Sequence, residues 1–180
     1  MHMNTPSEPR PGRLHHHAYV SRDLEATRRF YEDIMALPLV ATWCEQNDAG
    51  SYCHTFFELG DGGCLAFFQF ADAAFNESQA RLASASPFDH IAFTATKQVA
   101  EAAMARAAAA GVVARRIDHG YCVSYYLRDP DGLVVELTVD DPHALAEAPE
   151  RRASAHADLA RWLGGDHTPN NTLRAHGDHS

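Results

Sequence analysis

The segment HGYCVSYYLRDPDGLVVELTVD, residues 119–140, predicts two β-strands joined by a tight turn. Residues 123–127 and 133–139 are rich in aromatic and β-branched side chains, which favour strands. The DPDG sequence at 129–132 between them is typical of a turn, because proline presets φ and glycine tolerates a positive φ. Glu136 interrupts the apolar second strand. A carboxylate in such a strand needs a partner or water, and a cation would supply that partner.

A second pattern shows that the chain repeats itself. Residues 88–93 (FDHIAF) form a strand-like stretch before an alanine-rich helical segment. Residues 14–19 (LHHHAY) precede another predicted helix in the same way, and superposing the two stretches aligns His16 with His90. The sequence therefore predicts one unit written twice, each unit consisting of a strand, a helix and three further strands.

The two helices carry recognisable end signals. The first is predicted at about residues 23–35, with Asp23 or Ser21 as its N-cap. The second is predicted between Thr96 as N-cap and Gly111 as the C-terminal glycine. These signals fix where each unit passes from strand to helix and back to strand.

Composition restricts the class of protein. The 180 residues suffice for a substantial core, and no apolar run is long enough to span a membrane. The polar, proline-rich N-terminus does not resemble a signal peptide. The net charge of −9 argues against nucleic acid as a partner. Four cysteines without C-x-x-C spacing behave as small hydrophobic residues and predict a reduced, cytoplasmic protein. The charge and the short apolar runs together predict neither nucleic-acid nor membrane partners.

The predicted organisation is one α+β domain with a tail at each end. Residues 1–12 are expected to be disordered, because they are polar and rich in proline. The domain is predicted to span residues 13–141, with its two units at 14–70 and 88–140. Residues 142–180 follow as a C-terminal extension.

The C-terminal extension has one apolar feature. Leu159, Trp162 and Leu163 give residues 154–163 the pattern of a short amphipathic helix, and the residues after it are polar. Three interpretations are open: a solvated extension, which composition favours, a lid, or a clasp between subunits.

Strand geometry selects a candidate metal site. Successive strand side chains alternate between faces, so His16 points away from the side taken by His15 and His17. When two like units pair about a pseudo-twofold axis, equivalent positions converge, and His16, His90 and Glu136 are then expected to meet. Two imidazoles and one carboxylate commonly bind Fe(II), Mn(II), Zn(II), Ni(II) or Co(II). The alternative is two hydrogen-bonded core histidines and an edge glutamate.

Three stretches together resemble the vicinal oxygen chelate superfamily. They are LHHHAYVSRDLEATRRFYEDIMALPLV at 14–40, FDHIAF at 88–93 and SYYLRDPDGLVVEL at 124–137. That superfamily includes glyoxalase I, type I extradiol dioxygenases, methylmalonyl-CoA epimerase, and the fosfomycin- and bleomycin-resistance proteins. The resemblance implies paired βαβββ modules that form an open, cup-like mixed sheet around one divalent metal.

The resemblance also implies His16, His90 and Glu136 as the metal ligands. Bleomycin-resistance proteins share the fold but lack these ligands, so their presence here argues against a drug-binding module. The sequence leaves open whether a fourth residue binds the metal. Matching the two turns places Ala66 opposite Glu136, which leaves the fourth position free, as in the dioxygenases. A slip of the turn would instead bring in Gln69, and glyoxalase I and the epimerase do take a ligand from that strand.

Three further residues are candidates for catalysis. Tyr126 lies ten residues before Glu136 and resembles the active-site tyrosine of extradiol dioxygenases. His119 lies where those enzymes place a histidine near the oxygen site, although the hairpin here is shorter. The internal match adds His54 from the first unit. Each has a structural alternative as a packed core residue, and residues 75–87 hold no counterpart of the dioxygenases' acid–base histidine.

Three functions remain open from the sequence. The favoured one is an extradiol-type dioxygenase with Fe2+ or Mn2+, acting on a small oxygenated substrate that is aromatic or apolar. The second is a glyoxalase I-like lyase or an epimerase/isomerase with Zn2+, Ni2+, Co2+ or Mn2+. The third is a protein that binds a small molecule such as a drug. Exposed strand edges and the resemblance both predict a homodimer.

Overall fold

The computed structural model describes residues 12–80 and 88–171, and the chain divides into two compact units between Arg81 and Leu82. Each unit consists mainly of a strand, a helix and three further strands, and its four strands form one mixed sheet. The predicted repeat and the α+β fold class are therefore confirmed. The disordered tail predicted at residues 1–12 lies, apart from Gly12, outside the described residues.

The first unit has one long helical segment and a short second helix. In chain order its elements are β1 His16–Val20, α1 Leu24–Arg28 continuing as a π-helix over Arg29–Ile34, β2 Leu39–Asn47, β3 Gly50–Glu58, β4 Cys64–Phe70 and α2 Ala73–Gln79. The strand order is β1-β4-β3-β2, with β1 parallel to β4 and the other neighbours antiparallel.

The second unit repeats this topology and carries the C-terminal extension. Its elements are β5 His90–Thr94, α3 Lys97–Ala109, β6 Ala114–Asp118, β7 Cys122–Arg128, β8 Val134–Asp140, α4 Pro142–Ala146 and α5 Ala148–Leu163. The strand order is β5-β8-β7-β6, with β5 parallel to β8. Within the described residues, no helix combines the length and apolarity needed to cross a membrane.

One face of the first sheet forms an aromatic core. Tyr31 of the helical segment is fully buried, and its ring centroid lies 4.8 Å from that of Phe67 and 5.6 Å from that of Phe57. Burying a phenylalanine side chain such as that of Phe57 or Phe67 contributes roughly 1.5–3 kcal/mol. Because side chains alternate along β4, Ala66 lies on the opposite face from Phe67, the face that also carries His16.

The first helix differs from the regular α-helix predicted at residues 23–35. Asp23 caps it as expected, accepting hydrogen bonds from the backbone N–H groups of Glu25 and Ala26. Its second half is a π-helix, in which the Met35 amide donates to the carbonyl of Phe30 at 3.0 Å. The wider turn brings both of these apolar residues into the core.

Small side chains let the second helix approach its sheet closely. Ala100, Ala103 and Ala107 are fully buried on α3, which packs on β8. Thr96 caps this helix by accepting from the Val99 amide, and Gly111 follows it with a φ of +70°, as the sequence indicated.

The turn at residues 129–132 fixes the register of the β7–β8 hairpin. The buried carboxylate of Asp129 accepts hydrogen bonds from the Asp131 amide at 3.0 Å and the Leu133 amide at 2.8 Å. Gly132 has a φ of +89°, which favours glycine. This turn sets Tyr126 directly opposite Glu136 across the hairpin.

The C-terminal extension is more regular than expected. The helix predicted at 154–163 begins at Ala148 and ends at Leu163, and α4 precedes it. Asp141 starts α4 by accepting from the amides of His143 and Ala144. Composition alone did not show the early start, because alanine and charged residues suit both a helix and a solvated chain.

Candidate functional site

His90 and Glu136 come together on neighbouring strands of the second unit. Ala92 pairs with Glu136 in the parallel register of β5 and β8, so His90 lies two residues before that pair and on the same face. The Nε2 atom of His90 lies 2.8 Å from Oε2 of Glu136. Glu136 is only 5 % exposed, so this contact replaces water as a partner of its carboxylate.

The hydrogen bond of Nδ1 of His90 determines whether Nε2 can act as an acceptor or a metal ligand. Nδ1 lies 2.8 Å from the carbonyl oxygen of Phe88, and since a carbonyl only accepts, Nδ1 carries the hydrogen. A neutral His90 then turns the lone pair of Nε2 towards the carboxylate of Glu136. Two acceptors at 2.8 Å need a shared cation, either a proton or a metal ion. A carbonyl that fixes the tautomer in this way is typical behind a metal-binding histidine.

Tyr126 extends this cluster across the hairpin. It pairs directly with Glu136, and its ring meets that of His90 edge-on with centroids 6.0 Å apart. Its hydroxyl lies 3.0 Å from Nε2 of His119. Burial is the main cause that raises the pKa of Tyr126, and the charge of Glu136 acts in the same direction. The hydroxyl therefore stays protonated and can donate a hydrogen bond.

His119 lies in the loop before β7 and is held from three sides. Its amide donates to the carbonyl of Cys122 at 2.9 Å, and its ring stacks on Tyr121. Its carbonyl accepts a hydrogen bond from the side-chain amide of Asn171 at 3.0 Å. Sequence reasoning missed Asn171, since an asparagine in a polar tail gives no signal. The C-terminal extension thus reaches the loop that positions His119.

The first unit presents His16 at the position equivalent to His90. Ala18 pairs with Ala66 as Ala92 pairs with Glu136. The His16 ring meets Phe56 edge-on with centroids 5.8 Å apart, matching the 6.0 Å between His90 and its tyrosine. The repeat therefore extends from the backbone register to the contacts of the two histidine side chains.

His15 also contacts His16, which strand alternation did not predict. The Nδ1 atoms of the two rings lie 2.7 Å apart. His15 precedes the first residue of β1, so it is not bound by the alternation of that strand. It is therefore a neighbour that helps to orient His16, whereas His17 stacks on Tyr19 instead.

Gln69 has a different partner from the one considered in the sequence. Its side-chain amide donates to the carbonyl of Arg22 at 2.8 Å. It pairs with Cys53, and strand alternation places it on the opposite face of β4 from Ala66. The structure therefore does not bring Gln69 to the face that carries His16. At the position equivalent to Glu136, the first unit has only the methyl group of Ala66.

His54 lies on the face of the first sheet that carries Phe56. Its ring stacks on Phe68 with centroids 3.7 Å apart and lies 4.3 Å from that of Phe56. Burial lowers the pKa of His54, and the nearby His16 lowers it further. Among the described residues, its buried Nε2 atom has no hydrogen-bond partner. His54 is therefore a neutral ring with one unused polar atom in an aromatic surrounding.

The donor atoms in each unit fit a divalent metal in part. Within residues 12–80 and 88–171, no three His, Cys, Asp or Glu side chains form a metal-binding group. The second unit supplies one imidazole nitrogen and one carboxylate in contact, His90 and Glu136, and the first unit supplies His16. Nitrogen and oxygen donors of this kind suit Fe, Mn, Zn, Ni and Co.

Solved structures share this fold. A glyoxylase/bleomycin resistance protein/dioxygenase domain from Frankia sp. EAN1pec matches with a TM-score of 0.59 and 15% identity, covering 73% of this chain and 100% of that one. A lactoylglutathione lyase from Agrobacterium tumefaciens matches with a TM-score of 0.50 and 23% identity, covering 72% and 94%.

A third solved structure contains a metal ion. It is a mutant of the fosfomycin resistance protein FosX from Listeria monocytogenes, complexed with Mn(II) and 1S,2S-dihydroxypropylphosphonic acid. It matches with a TM-score of 0.56 and 18% identity, covering 74% of this chain and 97% of that one. At these identities the likeness shows the fold.

The sequence itself matches a family model. No curated protein sequence matches the chain significantly. The model of the Glyoxalase/Bleomycin resistance protein/Dioxygenase superfamily matches residues 13–137, which include both sheets almost completely. The chain belongs to the Glyoxalase/Bleomycin resistance protein/Dioxygenase superfamily.

Proposed function

We propose that this chain is a divalent-metal-dependent enzyme whose ligands are His16, His90 and Glu136, and that it acts as an extradiol-type dioxygenase. The contact of 2.8 Å between His90 and Glu136 supports the ligand pair, because two acceptors face each other there. His16 is supported by its equivalent register and its matching contact with an aromatic ring.

The fourth ligand position supports an oxygenase over a lyase or isomerase. Ala66 occupies the position in the first unit that is equivalent to Glu136 in the second, and its side chain has no atom that can bind a metal. The amide group of Gln69 is hydrogen-bonded to Arg22. Two histidines and one carboxylate would leave a divalent metal with open positions, and this ligand set is typical of non-haem Fe(II) oxygenases.

The observation that carries the proposal is the position of Tyr126. Its ring packs against His90, its hydroxyl lies 3.0 Å from His119, and its strand partner is Glu136. A phenol placed there can donate a hydrogen bond to a substrate oxygen and strengthen it as negative charge develops. Nε2 of His119 orients the phenol and can take or return a proton at that atom.

A divalent metal at this site would hold the two oxygens of a vicinal diol, and Fe(II) or Mn(II) would also exchange electrons with dioxygen. The chain's own residues set the substrate. In the first unit, the rings of His54, Phe56 and Phe68 contact one another and form an aromatic surface. Such a surface suits a flat ring with few polar groups, and we therefore propose a small aromatic diol as substrate.

The test is metal loading followed by a substrate panel. The purified chain is loaded anaerobically with Fe(II) or Mn(II), and oxygen uptake is measured with catechol-type diols. We expect uptake to match substrate loss one to one, since a dioxygenase incorporates both oxygen atoms. The Glu136→Ala variant should lose this activity, while His17→Ala keeps it. Isomerisation of a thiohemiacetal with Zn(II) or Ni(II), without oxygen uptake, would replace the proposal by the lyase alternative.

A further inference from the structure

Two cysteines of the first unit are cross-strand partners. Cys44 of β2 pairs directly with Cys53 of β3 in the antiparallel register. Directly opposed residues of antiparallel strands have Cα atoms about 4.5 or about 5.5 Å apart. Both separations fall within the range of about 4.4–6.8 Å that disulfides bridge. The register of this pair is therefore compatible with a disulfide bond.

The surroundings of the pair separate an accessible thiol from a sheltered one. Cys44 is exposed and Cys53 is half-buried, and both thiols are reduced. Burial, followed by the charge of Cys44 and a hydrogen bond with it, raises the pKa of the Cys53 thiol. The two side chains line a surface cavity of about 480 Å³ together with Tyr52 and Gln69.

This cavity is separate from the proposed catalytic residues of the first unit. Cys53 precedes His54 on β3, and successive strand side chains point to opposite faces. The cysteine pair therefore lies on the face away from His54, Phe56 and His16. Neither thiol is used by the proposed dioxygenase reaction.

We propose that Cys44 and Cys53 form a redox-active dithiol that low-molecular-weight disulfides convert to a cross-strand disulfide. The accessible Cys44 thiolate attacks one sulfur of the small disulfide, whose S–S bond breaks and releases one thiolate. Cys53 then gives its proton to solvent and attacks Sγ of Cys44, which forms the protein disulfide and releases the second thiolate. Two protein thiols are oxidised, and one small disulfide is reduced to two thiols.

The other two cysteines provide matched controls. Cys64 pairs with His16 and Glu58, and Cys122 pairs with Asp140, so neither has a cysteine as its strand partner. Cys64 is partly buried and Cys122 is buried. If only cysteines that pair directly across neighbouring strands form the disulfide, both of them should stay thiols.

The test uses the full-length protein in native buffer. Samples are equilibrated with reduced and oxidised glutathione at increasing oxidised fraction, alkylated, and mapped by proteolysis and mass spectrometry. We expect two of the four cysteines to lose alkylation together, with a linked peptide that joins Cys44 to Cys53 and lacks two hydrogen atoms. The Cys64→Ser and Cys122→Ser variants should give the same link.

Two results would overturn the proposal without relying on any variant. One is four alkylated cysteines at every glutathione ratio. The other is glutathione that stays attached to Cys44 while Cys53 remains a thiol, which would mean that the sulfurs do not meet. For the variants Cys44→Ser and Cys53→Ser, the link should disappear while circular dichroism stays unchanged. A link to Cys64 or Cys122 instead would also contradict it.

Discussion

His90 and Glu136 meet within a single sheet, with Nε2 of one 2.8 Å from Oε2 of the other. The contact follows from the parallel register of β5 and β8 and from the turn that precedes β8. Two of the three proposed ligands are therefore positioned by the second unit alone.

Substitution of the proposed ligands should abolish tight metal binding. We expect His16→Ala, His90→Ala and Glu136→Ala each to weaken Mn(II) binding by more than the ~10–100-fold typical of a lost outer-shell partner. Calorimetric titration measures this directly. His17→Ala should bind as the wild type does, and an equal loss there would mean that the wrong histidine has been chosen. His15→Ala should have an intermediate effect, because His15 contacts His16.

The Tyr126→Phe variant should show whether the hydroxyl of this residue has a catalytic or only a structural role. The change removes one hydroxyl, so metal content and fold should be retained. Turnover of a diol substrate should fall by about 10²-fold, as expected when one oriented donor is lost. Steady-state kinetics on the metal-loaded variant measures the effect. The control is Tyr125→Phe, since Tyr125 points to the other face of β7. Unchanged turnover in Tyr126→Phe would leave this residue a purely structural role.

His54 should make stability dependent on pH. Because its pKa is lowered below the ordinary 6.5, the folded chain binds fewer protons at this ring than the unfolded chain. The stability that His54 contributes is full above pH 6.5 and is lost as pH falls through the folded pKa. Urea midpoints at about pH 7.5 and about pH 5.5 should therefore differ less in His54→Phe than in wild type. The exposed His17 gives the matched His17→Phe control, and an unchanged difference in His54→Phe would refute the assignment.

Asp129→Ala should destabilise the second unit. Its buried carboxylate accepts from two backbone amides, and leaving them unsatisfied costs about 1–3 kcal/mol. Denaturant unfolding followed by circular dichroism measures the loss. Asp61→Ala is the matched change in the first unit, where the carboxylate accepts from the Gly63 amide. If both variants lose stability equally, the second hydrogen bond of Asp129 contributes nothing.

The chain should form a homodimer, as the exposed strand edges suggest. Strand β2 lies at an edge of the first sheet, and its Trp43 is 58% exposed. Exposed apolar edges are usually covered by another strand, helix or subunit. Multi-angle light scattering should give about twice the monomer mass of 19.8 kDa. A monomer mass at micromolar concentration and above would contradict the prediction.

Local signals were enough to predict the register of the second unit. The turn at 129–132 and strand alternation together predict that Tyr126 and Glu136 share a face, and the structure pairs these residues directly. Thr96 and Gly111 likewise mark the ends of α3. Each of these features depends on residues close in sequence, which is why pattern and turn chemistry suffice.

Contacts between distant residues were beyond the sequence. The hydrogen bond from Gln69 to Arg22 joins residues 47 positions apart in the sequence, and the one from Asn171 to His119 joins residues 52 positions apart. Nothing in either local pattern favours one partner over water. The π-helix could not be predicted either. The apolar residues there form two adjacent pairs, Phe30 with Tyr31 and Ile34 with Met35, and the spacing of three to five positions between the pairs suits an α-helix as well as a π-helix.

The matched register of the two units makes their difference in chemistry a matter of two side chains. Phe56 corresponds to Tyr126, and Ala66 corresponds to Glu136, while both histidines are kept. The two units therefore place the same backbone and the same histidine behind different chemistry, because only the second unit adds a carboxylate and a phenol. The double change Phe56→Tyr and Ala66→Glu would put both groups at the equivalent positions beside His16, so one chain would carry the same donor set in each unit.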